Sequence, residues 1–112
     1  MKIRMKAIAK TTVVEMQGRL NGDAQRIIEE EILPGLVSAK RVILDMRNVT
    51  FLSSFGLRML LLLNRQIMGA GSRLVLVGLS EELRDTMSIT GFHDFFTFYG
   101  SMAEGLEALE MN

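Results

Sequence analysis

Two short stretches constrain the fold of this chain more than any other feature. Val42-Ile43-Leu44 and Leu74-Val75-Leu76-Val77 are apolar without alternation. A strand with one wet face alternates between apolar and polar residues. A run like these is buried on both faces, as central strands of a parallel region are. Strands are therefore predicted over 41–46 and 73–79. Parallel neighbours need a crossover of roughly a dozen residues or more, and the sequence supplies one. Residues 57–68 favour helix, with Leu57, Leu60, Leu61, Leu63, Asn64 and Ile67 on the inner side and Arg58 and Arg65 on an outer stripe. Gly69-Ala70-Gly71 ends that helix.

The N-terminal part reads differently. Over 3–10, Ile3, Met5, Ala7 and Ala9 point one way and Arg4, Lys6 and Lys10 the other, with Ile8 as the exception. Thr11-Thr12 is a short link, and 13–20 is a second strand with Val14, Met16, Gly18 and Leu20 on one face. Two adjacent alternating strands predict an antiparallel hairpin with a wet face, at a sheet edge.

Asn21-Gly22-Asp23 is turn and cap chemistry, with Asp23 as the expected helix cap. Ala24, Ile27, Ile28, Ile32, Leu36 and Val37 then recur at helical spacing, while Glu29, Glu30 and Glu31 face water. Pro34 predicts a kink, or a stop near Leu33 and a brief resumption. Downstream, Ser80 caps a helix over 81–90 that Gly91 ends, 95–99 is an aromatic strand, and Ser101 with Glu104 forms a capping box opening a helix to about Glu110.

The predicted order is β-β-α-β-α-β-α-β-α. This is an α/β fold with a mixed sheet, a hairpin at its start and largely parallel strands after it, packed by about four helices. A length of 112 residues suits one domain, 1–112.

Several function classes drop out. The 13 basic and 13 acidic residues cancel, so no broad positive field selects nucleic acid or an anionic membrane. There is no cysteine and only one histidine, His93, which removes thiolate chemistry and multi-histidine metal sites. No run approaches the ~20 apolar residues of a membrane span, and no signal-peptide core stands at the start. A soluble cytoplasmic protein is expected, with no metal, no cofactor and no catalytic set. A serine hydrolase would need G-x-S-x-G and a base around it, and the chain has no such motif.

What remains is Ser53-Ser54-Phe55-Gly56, at the junction between a strand and a helix. Either serine can serve as the helix N-cap. An exposed hydroxyl there also faces the positive end of the helix dipole. Arg58, one turn on, is either a solvated helix residue or a partner for an anion. Phe55 is either core or an exposed anchor. Asp45 either ties the following loop or meets a partner.

The chain resembles the STAS family, named for sulfate transporters and anti-sigma-factor antagonists, and within it the small single-domain bacterial antagonists. The resemblance rests on Gly18-Arg19-Leu20-Asn21, Leu44-Asp45-Met46, Val49-Thr50-Phe51-Leu52, Ser54 with Gly56, Gly69-Ala70-Gly71 before Leu74-Val75-Leu76-Val77, and Thr90-Gly91-Phe92. It implies a partner switch. The unphosphorylated antagonist binds an anti-sigma factor that is itself a serine protein kinase. Phosphorylation at the start of the second helix breaks the complex, and a PPM-type phosphatase restores it. The acceptor aligns with Ser54.

The chain departs from the family pattern beside that residue. Ser53 stands where the pattern has aspartate, and Phe55 where it has a small hydroxyl residue. The expected partner surface takes in Asn21, Gly22, Asp23, Asn48, Thr50, Ser53, Ser54, Phe55, Gly56 and Arg58. Gly56, having no side chain, is expected to let a partner backbone approach. The alternative is a constitutive STAS accessory subunit or scaffold, for example of a transporter, without a phosphorylation cycle. The sequence leaves open whether the chain forms a homodimer through its exposed edge strand.

Overall fold

A computed structural model describes residues 1–110. Five strands form one sheet in the order β1-β2-β3-β4-β5. They are β1 (Lys2–Ile8), β2 (Thr11–Leu20), β3 (Arg41–Leu52), β4 (Arg73–Val77) and β5 (Phe98–Tyr99). β1 and β2 are antiparallel, and every later pair is parallel. The fold is the expected mixed α/β sheet with an N-terminal hairpin. Strand order in space follows strand order in sequence, so three successive right-handed crossovers must place their helices on the same face. They are α1 (residues 22–36), α2 (Ser54–Gly69) and α3 (Glu81–Thr90).

The main core lies under these helices. Val14, Met16, Leu44 and Leu76 of the sheet meet Ile28, Leu57, Leu60 and Met87. A smaller core lies on the other face, where α4 (Met102–Glu110) covers Val13, Ile43, Val75 and Val77 with Leu109. The unalternated runs of β3 and β4 are buried on both faces, as their sequence requires.

Several boundaries differ from the expectation. The hairpin turns at Ala9-Lys10, not at Thr11-Thr12, and Ala9 takes φ 54°. Thr11 is then a buried strand residue paired with Ile8. β3 does not stop at Met46 but runs to Leu52 beside β2, with two irregularities. Glu15 and Gln17 of β2 face Asp45 and Asn48, and Gly18 and Arg19 face Val49 and Phe51. Each step leaves one extra residue on β3, which is a β-bulge. β4 ends at Val77, and Gly78 turns out of the sheet at φ 72°. Phe95 closes a 3-10 turn (His93–Phe95) instead of opening a strand.

α1 begins under a different cap from the one expected. Asn21, not Asp23, is the N-cap, and its side-chain oxygen accepts the Asp23 N–H at 3.0 Å. The helix does not stop near Leu33 but continues through Pro34 to Leu36. It widens into a π-turn over Ile28–Ile32, where the Leu33 N–H reaches back to the Ile28 carbonyl. The wider turn gives room to the proline ring, which clashes with the i−4 carbonyl of a regular α-helix. Leu36 is buried, but Val37 is 80% exposed and is no part of the core. α3 and α4 follow the sequence reading, with Ser80 and a left-handed Gly91 bracketing α3 and Ser101 accepting the Glu104 N–H at 3.2 Å.

Candidate functional site

The ends of β2 and β3 lie side by side, with Leu20 opposite Leu52. The next residue, Ser53, is tied to Leu20 by its backbone, its N–H donating to the Leu20 carbonyl at 3.0 Å. The Ser53 hydroxyl accepts the Gly56 N–H at 3.0 Å and donates to the same Leu20 carbonyl at 3.4 Å. Ser53 is therefore the N-cap of α2, and its hydroxyl is committed at both ends.

Gly56 is buried in the same joint. A Cβ on it would fall inside the van der Waals shell of the Leu20 carbonyl. The backbone that approaches this glycine is the chain's own Leu20, not a partner's. Helix start and strand end are thus fastened by two hydrogen bonds and one steric requirement.

Ser54 is the first residue of α2. It is exposed, and its hydroxyl makes no hydrogen bond among the described residues. Arg58, four residues on and so on the same side of the helix, is also exposed and unpaired. The first amides of α2 have no intrahelical acceptor and carry the positive end of the dipole.

Phe55 is 38% exposed, and its ring lies near Gly22, about 3.8 Å from where a Cβ there would sit. It joins the Asn21-Gly22-Asp23 loop to the start of α2, so those segments share one end of the sheet. Asn48 and Thr50, on the bulged end of β3, are exposed near the same end. Phe51 is 38% exposed and carries the Arg19 guanidinium 4.2 Å above its ring.

Asp45 is 3% exposed. Arg47 grips it through Nε to Oδ1 at 2.9 Å and Nη2 to Oδ2 at 2.7 Å, and the Arg47 N–H also donates to Oδ1 at 3.2 Å. These bonds tie Asp45 to the bulged stretch of β3 that follows it. Burial works to raise its pKa. The hydrogen bonds and charge of Arg47, helped by Lys6, outweigh this and hold the carboxyl below its usual value. Arg47 passes over Gly78, where a Cβ would overlap its Cγ. Sequence reasoning missed Arg47 because the strand was expected to end at Met46. A strand continued through 47 puts 45 and 47 on the same face, and that spacing was the available signal.

His93 takes no part in this site. It stacks on Phe98 with ring centroids 4.8 Å apart. Among the described residues no cluster could hold a metal, and no helix is long and apolar enough to cross a membrane.

These features meet those of a known family. The STAS domain model matches residues 2–105, and the chain belongs to that family. A Bordetella bronchiseptica protein designated an anti-sigma factor antagonist, BtrV, is 31% identical over 97 residues, 86% of this chain and 84% of that protein. A STAS-domain protein of Pseudomonas aeruginosa is 30% identical over 83 residues, 74% of this chain and 82% of its own length. The crystal structure of a Thermotoga maritima protein designated an anti-sigma factor antagonist superposes with a TM-score of 0.88 at 16% identity, over 96% of this chain and 94% of that one. A sulfate transporter family protein of Wolinella succinogenes superposes with a TM-score of 0.80 at 21% identity, over 95% and 89%. At these identities the two structures speak for the fold alone.

Proposed function

We propose that this chain is a regulatory protein-binding module, an anti-sigma-factor antagonist in a partner-switching pathway, controlled by reversible phosphorylation of Ser54. The observation that carries the reading is the unequal state of the two serines. The Ser53 hydroxyl is spent on capping α2, while that of Ser54 is exposed and unengaged one residue later. The similarity to BtrV supports the antagonist role.

The partner is an anti-sigma factor that is also a serine kinase, and a PPM-type phosphatase resets the switch in the cytoplasm. The chain itself catalyses nothing. The binding face is the sheet end that carries Asn21, Gly22, Asp23, Asn48, Thr50, Ser53, Ser54, Phe55 and Arg58, with Gly56 setting the helix start beneath it.

A phosphate on Ser54 adds roughly −1.5 to −2 charges. The helix start tolerates it, with a dipole gain of about 0.3–1 kcal/mol, and Arg58 lies within reach to pair with it. The domain stays folded, and the cost falls on the bound partner through bulk, desolvation and repulsion from any carboxylate opposite.

A pull-down with wild type and Ser54→Asp tests this. Wild type retains a serine-kinase partner and Ser54→Asp loses it. That kinase with ATP modifies Ser54, as mapped by mass spectrometry. Modification elsewhere, or unchanged affinity after full modification at Ser54, refutes the reading. The exposed Phe55 ring favours one rival, a constitutive accessory subunit docked through that ring. In that case the pull-down retains a transporter component, and Ser54→Asp retains it equally.

A further inference from the structure

The helices cover the two faces of the sheet unequally. α4 packs on β3, β4 and β5. On β1 and β2 the same face runs on beyond α4 and becomes charged. The register sets its members. Lys6 faces Val13, Arg4 faces Glu15 and Lys2 faces Gln17, with Glu15 in turn beside Asp45. Ile3, Val14 and Met16 belong to the opposite, main core.

Both carboxylates of this strip are already matched, Glu15 with Lys6 at 3.4 Å and Asp45 with Arg47 at 2.7 Å. Lys2, Arg4 and Arg19 are exposed and have no acidic partner among the described residues. An open groove of about 350 Å³ is lined by Lys2, Arg4, Glu15, Met16, Gln17 and Asn48, Glu15 being the residue already paired with Lys6. The chain is neutral overall, so this excess of positive charge is local.

We propose that this strip is a docking surface for an extended acidic segment of a partner protein. Charge complementarity argues for the sign. The geometry argues for a polypeptide. Lys2 and Arg4 are alternate residues on one strand face, about 7 Å apart, which matches alternate side chains of an extended chain. β1 is also the outer strand of the sheet, and its free edge offers backbone pairing to an added strand. Nucleic acid and anionic lipid fit less well, because Glu15 and Asp45 interrupt the strip and the neutral chain lacks a long-range positive field. The inference uses neither the hydroxyl of Ser54 nor its phosphorylation, and its groove shares only Asn48 with the face proposed for the switch.

The test uses the full chain, isotope-labelled for amide NMR, with a synthetic peptide of alternating glutamate and threonine as the probe. A lysine–threonine peptide, oligothymidylate and phosphatidylserine vesicles serve as comparisons. The glutamate peptide should shift the amides of residues 2–6 and 15–19. Its affinity should fall with added salt, drop about tenfold in Lys2→Glu/Arg4→Glu, and stay level in Arg65→Glu on the outer side of α2. Arg19→Gln, with a loss of about threefold, decides the matter if the double reversal unfolds. No amide shifts, shifts confined to other surfaces, equal affinity in the charge variants, or tighter binding of oligothymidylate or vesicles than of the glutamate peptide each overturn it.

Discussion

The guanidinium of Arg47 clasps the buried carboxylate of Asp45 at two points, 2.9 and 2.7 Å, from two residues further along the same strand. Asp45 is 3% and Arg47 52% exposed in the side chain. The buried member thus depends on a partner that water also reaches. Asp45→Asn is expected to lower unfolding stability by about 1–3 kcal/mol, measured by urea denaturation.

The same pair sets an acid limb. The carboxyl pKa is depressed in the folded state, so its contribution is complete above the ordinary aspartate range. It is lost as pH falls through the lower folded value. Wild type should therefore lose stability more steeply than Asp45→Asn below about pH 4. Parallel slopes in melting temperature against pH would remove this role.

Gly78→Ala acts on that pair from just beyond the end of β4. The residue sits at φ 72° and its Cβ would displace Arg47. The backbone alone costs about 1–2 kcal/mol. Combined with Asp45→Asn, the loss should be less than additive, because each variant disturbs the same clasp. A double-mutant cycle by chemical denaturation measures this.

Gly56→Ala places a methyl group against the Leu20 carbonyl, where backbone lies on both sides and neither can yield. A loss of about 1–3 kcal/mol is expected, with a lower melting temperature and the largest amide shifts at Leu20 and Ser53.

The two serines should separate in stability. Ser53→Ala removes the α2 cap and costs about 1 kcal/mol. Ser54→Ala removes no hydrogen bond and should stay within about 0.5 kcal/mol of wild type, while abolishing phosphorylation. Equal melting temperatures for wild type and Ser53→Ala would count against the capping assignment.

Ala9→Gly should stabilise the protein. Ala9 turns the hairpin at φ 54°, a conformation glycine adopts at no steric cost. A gain of about 0.5–1 kcal/mol is expected, visible as a higher denaturation midpoint.

Much of the fold was legible because local chemistry and burial agree. The runs in β3 and β4 have no wet face. Ser80 with Gly91 brackets α3, and Ser101 with Glu104 opens α4. Errors fell where tertiary pairing overrode local signals. The apolar run stops at Met46, yet pairing with β2 carries β3 on to Leu52, with two bulges on β3. Ala9-Lys10 carries no turn residue, yet the β1–β2 register turns the chain there. Asp23 and Asn21 are both good caps, and only the path out of Leu20 selected Asn21.

The sequence by itself determined the class of fold, the strand-to-helix order and the presence of a hydroxyl pair at the mouth of α2, because patterning, caps and glycines act over a few residues. Only the tertiary structure decided which hydroxyl is spent and which is free. That choice depends on a carbonyl 33 residues away in the chain, the Leu20 oxygen that Ser53 meets. It depends also on Gly56, which admits that oxygen. Contacts between distant segments carry no local signature, so Ser54 became the exposed member only once β2 and β3 lay side by side.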